Sequence, residues 1–354
     1  MLTDIRLQKF RTYRDESFEL DMGVNIIVGP NASGKTNLLE ALLMICRGTS
    51  FRAKDAELVA HGAPWARLDA HTPDGIRTIK LMKQESGVIK KEYELGVQKL
   101  SRLTLQKTIP TVLFEPNHLF LLHGSPDLRR EYLDNLLEQL IPHYSKTRRD
   151  YRRALSQRNA LLKRGVSSAH QLFAWNIRLS EIGALLVRER AKLVQQFNEQ
   201  LVGLYQDLAH SKAAHVRAKY QTQYDVEQYS TSLLRALEKR QDTDLERGFT
   251  TVGPHRDDLV ITFDDREASE VASRGETRTV LLALKIMELR FVEESRGSKP
   301  ILLLDDVFSE LDGARRRALT EVLAGYQTFI TTTDADVVVQ HFMNNCTIIP
   351  LGNR

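Results

Sequence analysis

Cysteine is scarce in this sequence. Two cysteines, Cys46 and Cys346, stand far apart among the 354 residues and form no Cys-x-x-Cys pair. Zinc sites and disulfide frameworks depend on cysteines at short, regular spacings, so the sequence predicts neither of them. The low cysteine content instead fits a reducing cytosol.

Long apolar runs are missing as well. No segment approaches about 18 consecutive apolar residues, the length that a transmembrane helix needs. The opening stretch MLTDIRLQKFRTY has no apolar run behind a basic one, so it lacks the pattern of an export signal. We therefore expect a cytoplasmic protein that is neither exported nor membrane-spanning. Internal repeats and low-complexity tracts are also absent from the sequence.

What is present is typical of a soluble globular protein, with 42% hydrophobic and 27% charged residues. Single cores stop growing at roughly 250–300 residues, so a chain of this length predicts one large domain with a smaller one inserted or appended. The formal net charge of +4 favours a polyanionic partner only slightly.

The first third of the chain has the pattern of a β-rich domain. Residues 1–30 read as strand, turn and strand, with 18–20 and 24–28 extended, and a helix is expected over 36–46. Between 65 and 112 the apolar residues recur with a period of two, which predicts antiparallel strands.

After Gly124 the apolar residues follow helical spacing, with a break at 165–170 and a second helical run that ends near His210. Two antiparallel helices are expected to form a projecting subdomain. From 248 onwards helix and strand alternate, and ILLLDD and TFITTT are candidates for buried strands.

The strongest motif is a phosphate-binding loop between the apolar strand NIIV and the helix NLLEALLM. It matches G-x-x-x-x-G-K-[ST], and with the residue that follows it comprises Gly29, Pro30, Asn31, Ala32, Ser33, Gly34, Lys35, Thr36 and Asn37. The glycines let backbone N–H groups curl around phosphates, and the helix adds its positive dipole end. Lys35 would reach the β- and γ-phosphates and Thr36 would bind Mg²⁺, which predicts ATP or GTP binding.

A second element of the site is the apolar strand that ends in Asp305 and Asp306. A carboxylate at a strand tip beside the loop can hold Mg²⁺ through water, and the next can orient or deprotonate the attacking water. We assign the metal role to Asp305 and the catalytic role to Asp306.

Three further stretches distinguish among P-loop proteins. Ser273, Arg274, Gly275 and Glu276 begin an apolar helix about thirty residues before the aspartate pair, and their exposed N–H groups make an anion site. Ser309 and Asp312 follow the pair, and Thr332 lies at the end of a later strand. The alternative for Ser273 is an ordinary helix N-cap.

This order resembles the ABC ATPases, in which a signature motif lies between Walker A and Walker B, and a D-loop and a switch follow. The detailed resemblance is to the RecF family of bacterial recombination-repair proteins, and it covers essentially the whole chain. The matching segments are FRTY (10–13), VGPNASGKTNLLEAL (28–42), SFR (50–52), GSPDLRREYLD (124–134), YRRALSQRN (151–159), GPHRDDL (253–259), ASRGETRTVLLALK (272–285) and LLLDDVFSELD (302–312).

The resemblance implies an α/β fold: an ABC-type P-loop ATPase head with an inserted, mainly helical subdomain. It assigns 1–123 and 248–354 to the head and 124–247 to the insertion. It also implies that Arg11 contacts the nucleotide, that Arg52 approaches the phosphates, and that Ser273 acts on the γ-phosphate of a partner subunit. Asp306 and threonines 331–333 stand where many ABC ATPases have a glutamate and a histidine, so slow hydrolysis is expected.

By the same resemblance, ATP and Mg²⁺ join two heads head-to-tail in a homodimer that clamps duplex DNA at gaps or junctions. The expected partners are RecR and RecO, with RecA and SSB in the same process, and the expected location is the nucleoid. Hydrolysis would release the DNA.

Support for DNA binding from the residues themselves is a basic helix. We propose its Arg148, Arg149, Arg152 and Arg153 as phosphate contacts, flanked by Lys146, Arg158, Lys163 and Arg164. The alternative is a solvated helix face.

Two other functions stay open: a P-loop small-molecule kinase, and a structural head like those of SMC proteins. For His255 and Arg256 in GPHRDD, both a structural and a catalytic role stay open.

Overall fold

The computed structural model describes residues 1–165, 169–209, 215–342 and 346–352. Its strands, in chain order, are β1 (Asp4–Phe10), β2 (Tyr13–Glu19), β3 (Val24–Val28), β4 (Trp65–Thr72), β5 (Gly75–Lys83), β6 (Ile89–Leu95), β7 (Gln98–Leu100), β8 (Thr111–Phe114), β9 (Val216–Gln221), β10 (Asp258–Phe263), β11 (Arg266–Glu267), β12 (Ile301–Asp305), β13 (Thr328–Thr332) and β14 (Cys346–Pro350).

Its α-helices, in the same order, are α1 (Lys35–Arg47), α2 (Asp55–Leu58), α3 (Pro126–Leu140), α4 (Tyr144–Lys163), α5 (Ala169–Ala209), α6 (Tyr229–Lys239), α7 (Gln241–Arg247), α8 (Ala268–Val271), α9 (Arg274–Arg296), α10 (Val307–Glu310), α11 (Gly313–Leu323) and α12 (Ala335–Val339). Among the described residues, no helix is both long enough and apolar enough to cross a membrane.

The chain forms two compact units. The first comprises residues 1–118 and 288–354, and the second comprises 119–287. The division predicted from the sequence, at 123/124 and 247/248, stays a prediction.

The first unit contains two sheets. One has six antiparallel strands in the order β2-β1-β4-β5-β6-β7, and the other has five parallel strands in the order β14-β3-β13-β12-β8. In the parallel sheet, β12 lies beside β13, with Asp305 opposite Thr331, and β13 lies beside β3. The carboxyl ends of β3, β12 and β13 therefore meet at one edge, where α/β sheets place their ligands.

Helix α1 is buried on almost every side, with eleven of its thirteen residues classed as buried. Its apolar residues belong to one core cluster together with those of both sheets, including Leu68 and Phe329. The core therefore fixes the position of the phosphate loop that precedes α1.

The second unit packs helices around a small antiparallel sheet of order β11-β10-β9. Helices α4 and α5 run antiparallel. Near the loop that connects them, Arg158 of α4 donates to Asn176 of α5 (2.7 Å). Further from that loop, Tyr144 of α4 and Arg190 of α5 both donate to Asp134 of α3 (2.6 and 2.8 Å).

Several elements expected from the sequence are confirmed: β3, the strands between 65 and 112, the second helical run as α5, and the buried strands β12 and β13. The first helical run after Gly124 is two helices rather than one, because the chain leaves helical conformation at 141–143, between α3 and α4, where Pro142 lacks a backbone N–H. The first helix is one residue longer at each end than expected, and the strand expected at 18–20 is Tyr13–Glu19. The strand β1 that precedes it was not predicted. Part of the expected break at 165–170 lies outside the described residues.

Candidate nucleotide site

The phosphate loop connects β3 to α1 and has a backbone shaped for close approach. Gly34 has φ of 99°, a left-handed value that favours glycine, and Ala32 has φ of 67°. A Cβ on Gly29 would lie 2.5 Å from Ser33 Oγ and 2.6 Å from the Leu351 carbonyl oxygen. Both glycines of the motif are therefore required by the structure.

Lys35 lies across this loop. Its ammonium donates to the carbonyl oxygens of Gly29 (2.7 Å) and Pro30 (2.9 Å). Burial lowers the pKa of Lys35, whereas the nearby charges of Asp306 and Asp305 raise it. The lysine thus stands between the loop and the two carboxylates, the position from which it can exchange carbonyl oxygens for phosphate oxygens.

Thr36 and Asp305 come together as the sequence predicted. The Thr36 hydroxyl donates to Asp305 Oδ1 at 3.0 Å. Oxygen ligands suit Mg²⁺, which proteins usually bind through one or two carboxylates together with phosphate and water oxygens. The described residues contain no cluster of three or more His, Cys, Asp or Glu that could hold a metal alone.

Asp306 adopts a left-handed backbone, with φ of 52°. Its Oδ1 is buried, as is Ser33 Oγ, and neither atom has a hydrogen-bond partner among the described residues. Buried polar atoms normally find partners, so unpaired ones next to a phosphate loop fit a site built around an additional polar group. ATP with its cation and an attacking water satisfies that requirement.

Arg11 and Arg52 lie against the first turns of α1. Arg11 forms a two-pronged ion pair with Glu40, at 2.7 and 3.1 Å, and Arg52 donates to Asn37 Oδ1 at 3.3 Å. The Ser50 hydroxyl also donates to Glu40, which is fully buried. Sequence reasoning did not single out Glu40. The signal was a carboxylate inside the otherwise apolar helix NLLEALLM.

The residues assigned to the D-loop and switch have local partners. Ser309 donates to the Asp306 carbonyl oxygen (2.7 Å), and Asp312 caps α11 by accepting from the Arg315 N–H (3.0 Å). Thr332 donates to the Asp334 carbonyl oxygen (2.9 Å). The neighbouring Thr331 contacts Asp305 directly.

Comparison with known proteins agrees with this geometry. The family described as RecF/RecN/SMC N terminal domain matches residues 1–350. A DNA replication and repair protein RecF from Acidothermus cellulolyticus is 35% identical over 350 residues, which cover 95% of this chain and 94% of the relative. The chain belongs to the RecF family. Membership of this family argues against the alternative that the protein is a P-loop small-molecule kinase.

Solved structures confirm the expected fold class. One described as the recombination mediator protein RecF-ATP in the RecFOR pathway is 30% identical, has a TM-score of 0.84 and covers 94% of this chain and 92% of its own. An SmcHead structure is 15% identical, with a TM-score of 0.51, and covers 96% and 91% of the two chains. The latter likeness shows the fold alone. The fold is an ABC-type ATPase head with an inserted helical arm.

The segment assigned as the RecF signature begins α9 with a capping box. Glu276 N–H donates to the Ser273 hydroxyl oxygen (3.3 Å), and Ser273 N–H donates to the Glu276 carboxylate (2.8 Å). The helix cap expected as the alternative is therefore present. Ser273 is nevertheless exposed, with Arg274 beside it. In the single chain the hydroxyl holds the start of α9, and its action on a partner subunit stays a proposal.

The basic helix α4 corrects one sequence assignment. Arg148 is buried and forms ion pairs with Asp134 (2.9 Å) and Glu138 (2.9 Å), so its guanidinium is not available to a DNA phosphate. Arg158, counted in the same cluster, is fully buried against Asp244 (2.7 Å). Both side chains hold helices together.

Arg149, Arg152 and Arg153 are exposed. They line a surface groove of about 380 Å³ together with Ser145, Ser156 and the ion pair of Arg148 with Glu138. Their spacing of three and four positions places them on one helix face. Within the described part of the chain, none of the three forms an ion pair. A polyanion would relieve the repulsion among them.

The GPHRDD segment is held by His255. Its Nε2–H donates to the Thr250 carbonyl oxygen (3.1 Å), so its Nδ1 accepts from the Tyr151 hydroxyl (2.9 Å). Gly253 has φ of 123°, and a Cβ there would lie 2.8 Å from the Tyr151 hydroxyl. These contacts give His255 a structural role in tying the loop to α4.

Burial lowers the pKa of His255 from 6.5 to about 4. A lowered folded-state pKa means that this stability contribution is complete above about pH 6.5 and is lost as the pH falls towards 4. Between pH 7 and pH 5, we expect the wild type to lose about 2 kcal/mol more unfolding free energy than His255→Gln. Urea unfolding at the two pH values measures the difference.

The exposed His61→Gln serves as the control for this experiment, and it should keep the acid sensitivity of the wild type. Burial raises the pKa of Asp257 to about 6, so Asp257 titrates in the same range with the opposite sign. The readout is therefore the difference between variants. Identical pH dependence in His255→Gln and the wild type would contradict the neutral, buried imidazole.

Proposed function

We propose that this protein is an ATP-dependent DNA-binding protein of recombinational repair with weak ATPase activity. The observation that carries the proposal is the hydrogen bond of 3.0 Å between Thr36 of the phosphate loop and Asp305 of β12. It joins the two elements that a Mg²⁺-dependent nucleotide site requires. Relatives named DNA replication and repair protein RecF, and a relative described as RecF-ATP, support the assignment.

Nucleotide binding follows from the loop. Backbone N–H groups between Gly29 and Thr36, with the N-terminus of α1, surround the β- and γ-phosphates. Lys35 moves from the loop carbonyl oxygens to phosphate oxygens. Thr36 and Asp305 would hold Mg²⁺, which would neutralise charge on the phosphates when bound. Arg11, positioned by Glu40, adds a cation at the rim of the site.

Hydrolysis uses Asp306, whose unpaired Oδ1 orients or deprotonates a water for attack on the γ-phosphate. An aspartate reaches less far than a glutamate, and threonines occupy the place of a switch histidine. Both features favour slow turnover, so the rate of ATP hydrolysis sets how long the ATP-bound state lasts.

Two chains then join head-to-tail, with each nucleotide lying between the loop of one chain and the signature of the other. Ser273 and Gly275 contribute N–H and hydroxyl groups to the partner's γ-phosphate, and Ser309 and Asp312 face the interface. The dimer clamps duplex DNA at gaps or junctions in the nucleoid and releases it after hydrolysis. RecO and RecR cooperate with it to load RecA on SSB-coated single strands.

Ser273→Arg tests the composite site. The variant should bind ATP as a monomer with unchanged affinity, because Ser273 serves the partner's nucleotide. It should fail to dimerise with ATP and Mg²⁺, since a bulky cation then occupies the interface. Sedimentation reports the dimer, and a gel shift of duplex DNA with and without ATP reports the clamp.

Ser273→Ala provides the matched control, since it removes the helix cap at a cost of about 1 kcal/mol without adding bulk. It should retain most of the ATP-dependent dimer. If the Ser273→Arg protein dimerises and shifts DNA like the wild type, the signature segment does not contact the partner's nucleotide as proposed.

A further inference from the structure

Thr331 lies at the carboxyl end of β13, directly opposite Asp305 of β12. It is fully buried, and its hydroxyl makes two hydrogen bonds. The hydroxyl oxygen accepts from the Asp306 N–H at 2.9 Å, and the hydroxyl proton is donated to Asp305 Oδ1 at 2.7 Å. One side chain therefore contacts both carboxylate residues assigned to the chemistry.

The direction of these two bonds is fixed. A backbone N–H can only donate, so the Thr331 oxygen must accept from Asp306. The single hydroxyl proton is then free to point at the Asp305 carboxylate. Thr36 donates to the same Oδ1 at 3.0 Å, so two hydroxyl groups converge on one oxygen. This arrangement fixes the rotation of the Asp305 carboxylate.

The bond to Asp306 has a second consequence. Asp306 has φ of 52°, a left-handed conformation that costs a non-glycine residue energy unless its surroundings enforce it. The Thr331 hydroxyl binds the N–H of this strained residue and so helps to set the direction of the Asp306 side chain, whose Oδ1 is unpaired.

We propose that Thr331 is a positioning residue that holds the metal-binding carboxylate of Asp305 and the backbone of Asp306 in register with each other. The inference rests on the proposed function of the site as a Mg²⁺-dependent ATPase. Thr331 touches neither nucleotide nor cation in this role. It acts through Asp305 and Asp306, and it couples the cation site to the residue that handles the attacking water.

Thr331→Val removes the hydroxyl and keeps the shape of the side chain. Nucleotide affinity measured without Mg²⁺ should be unchanged, because the loop and Lys35 are intact. The concentration of Mg²⁺ needed for half of the metal-dependent gain in affinity should rise about tenfold, the effect of losing one hydrogen bond to a charged group. A fluorescent ATP analogue titrated in EDTA and in increasing Mg²⁺ separates the two quantities.

Thr331→Ser restores the hydroxyl and should return the Mg²⁺ requirement to within about threefold of the wild type. Thr328→Val is the matched structural control, since Thr328 is fully buried in the same strand but donates to the Tyr326 carbonyl oxygen (3.2 Å) away from the site. It should leave the Mg²⁺ requirement unchanged. Thr331→Ala replaces Thr331→Val if the valine variant does not fold.

The outcomes distinguish this inference from the function on which it rests. A wild type whose nucleotide affinity does not depend on Mg²⁺ would overturn the proposed ATPase site itself. A wild type with clear Mg²⁺ dependence, and hydroxyl-free Thr331 variants that match it, would overturn the role of Thr331 alone. A shift of the same size in Thr328→Val would reduce the effect to general strand packing and would also overturn the role.

Discussion

Lys35→Ala is expected to lower ATP affinity by at least about 100-fold, since two charge-assisted hydrogen bonds to phosphate are lost together. In the structure the Lys35 ammonium is within 2.7 and 2.9 Å of two loop carbonyl oxygens, between the loop and both aspartates. Equilibrium binding of labelled ATP to the purified protein measures the loss.

The matched control for Lys35→Ala is Lys83→Ala, which removes the same charge from an exposed position at the end of β5. It should bind ATP like the wild type. Circular dichroism should show that both variants are folded. Unchanged ATP affinity in a folded Lys35→Ala protein would mean that this loop does not bind the phosphates.

The phosphate site was predictable because most of its residues are close together in the sequence. A strand, a glycine loop and a helix follow one another, and parallel strands bring the loop and Asp305 to one edge of the sheet. Thr331 and Glu40 were not predictable in the same way. Their roles depend on which strand lies beside β12, and on which residue faces the helix interior, and one sequence does not specify these pairings.

In the second unit, too, several elements and residue positions were not predicted correctly from the sequence. Periodicity predicted its long helical runs, but the strand β9 and the helices α6 and α7 were missed, and each of the three is short. Arg148 and Arg158 were misread as surface charges, although a signal existed. They continue the buried stripe of α4, whose members are Tyr144, Arg148, Tyr151, Ala154, Arg158 and Leu162. Their acidic partners lie on other helices.

Replacing Arg149, Arg152 and Arg153 together by glutamate is expected to weaken duplex DNA binding by at least about 100-fold at low salt, regardless of DNA sequence. These arginines line one groove on α4 together with Glu138, which pairs with Arg148, and none of the three forms an ion pair within the described part of the chain. Each lost phosphate contact should flatten the slope of log affinity against log salt by about 0.9. We expect a change equivalent to one to three contacts.

Net charge alone also attracts DNA, so the control must carry the same charge change elsewhere on the second unit. Exposed Arg178, Arg188 and Arg235 on α5 and α6 meet this condition, and their triple glutamate variant should keep the wild-type slope. ATP binding should persist in both proteins, since the phosphate loop is untouched. If both variants lose the same DNA affinity, the attraction of DNA depends on the net charge of the protein and not on the arginines of α4. If neither changes the slope, the DNA surface lies away from α4, and its three arginines form a solvated face.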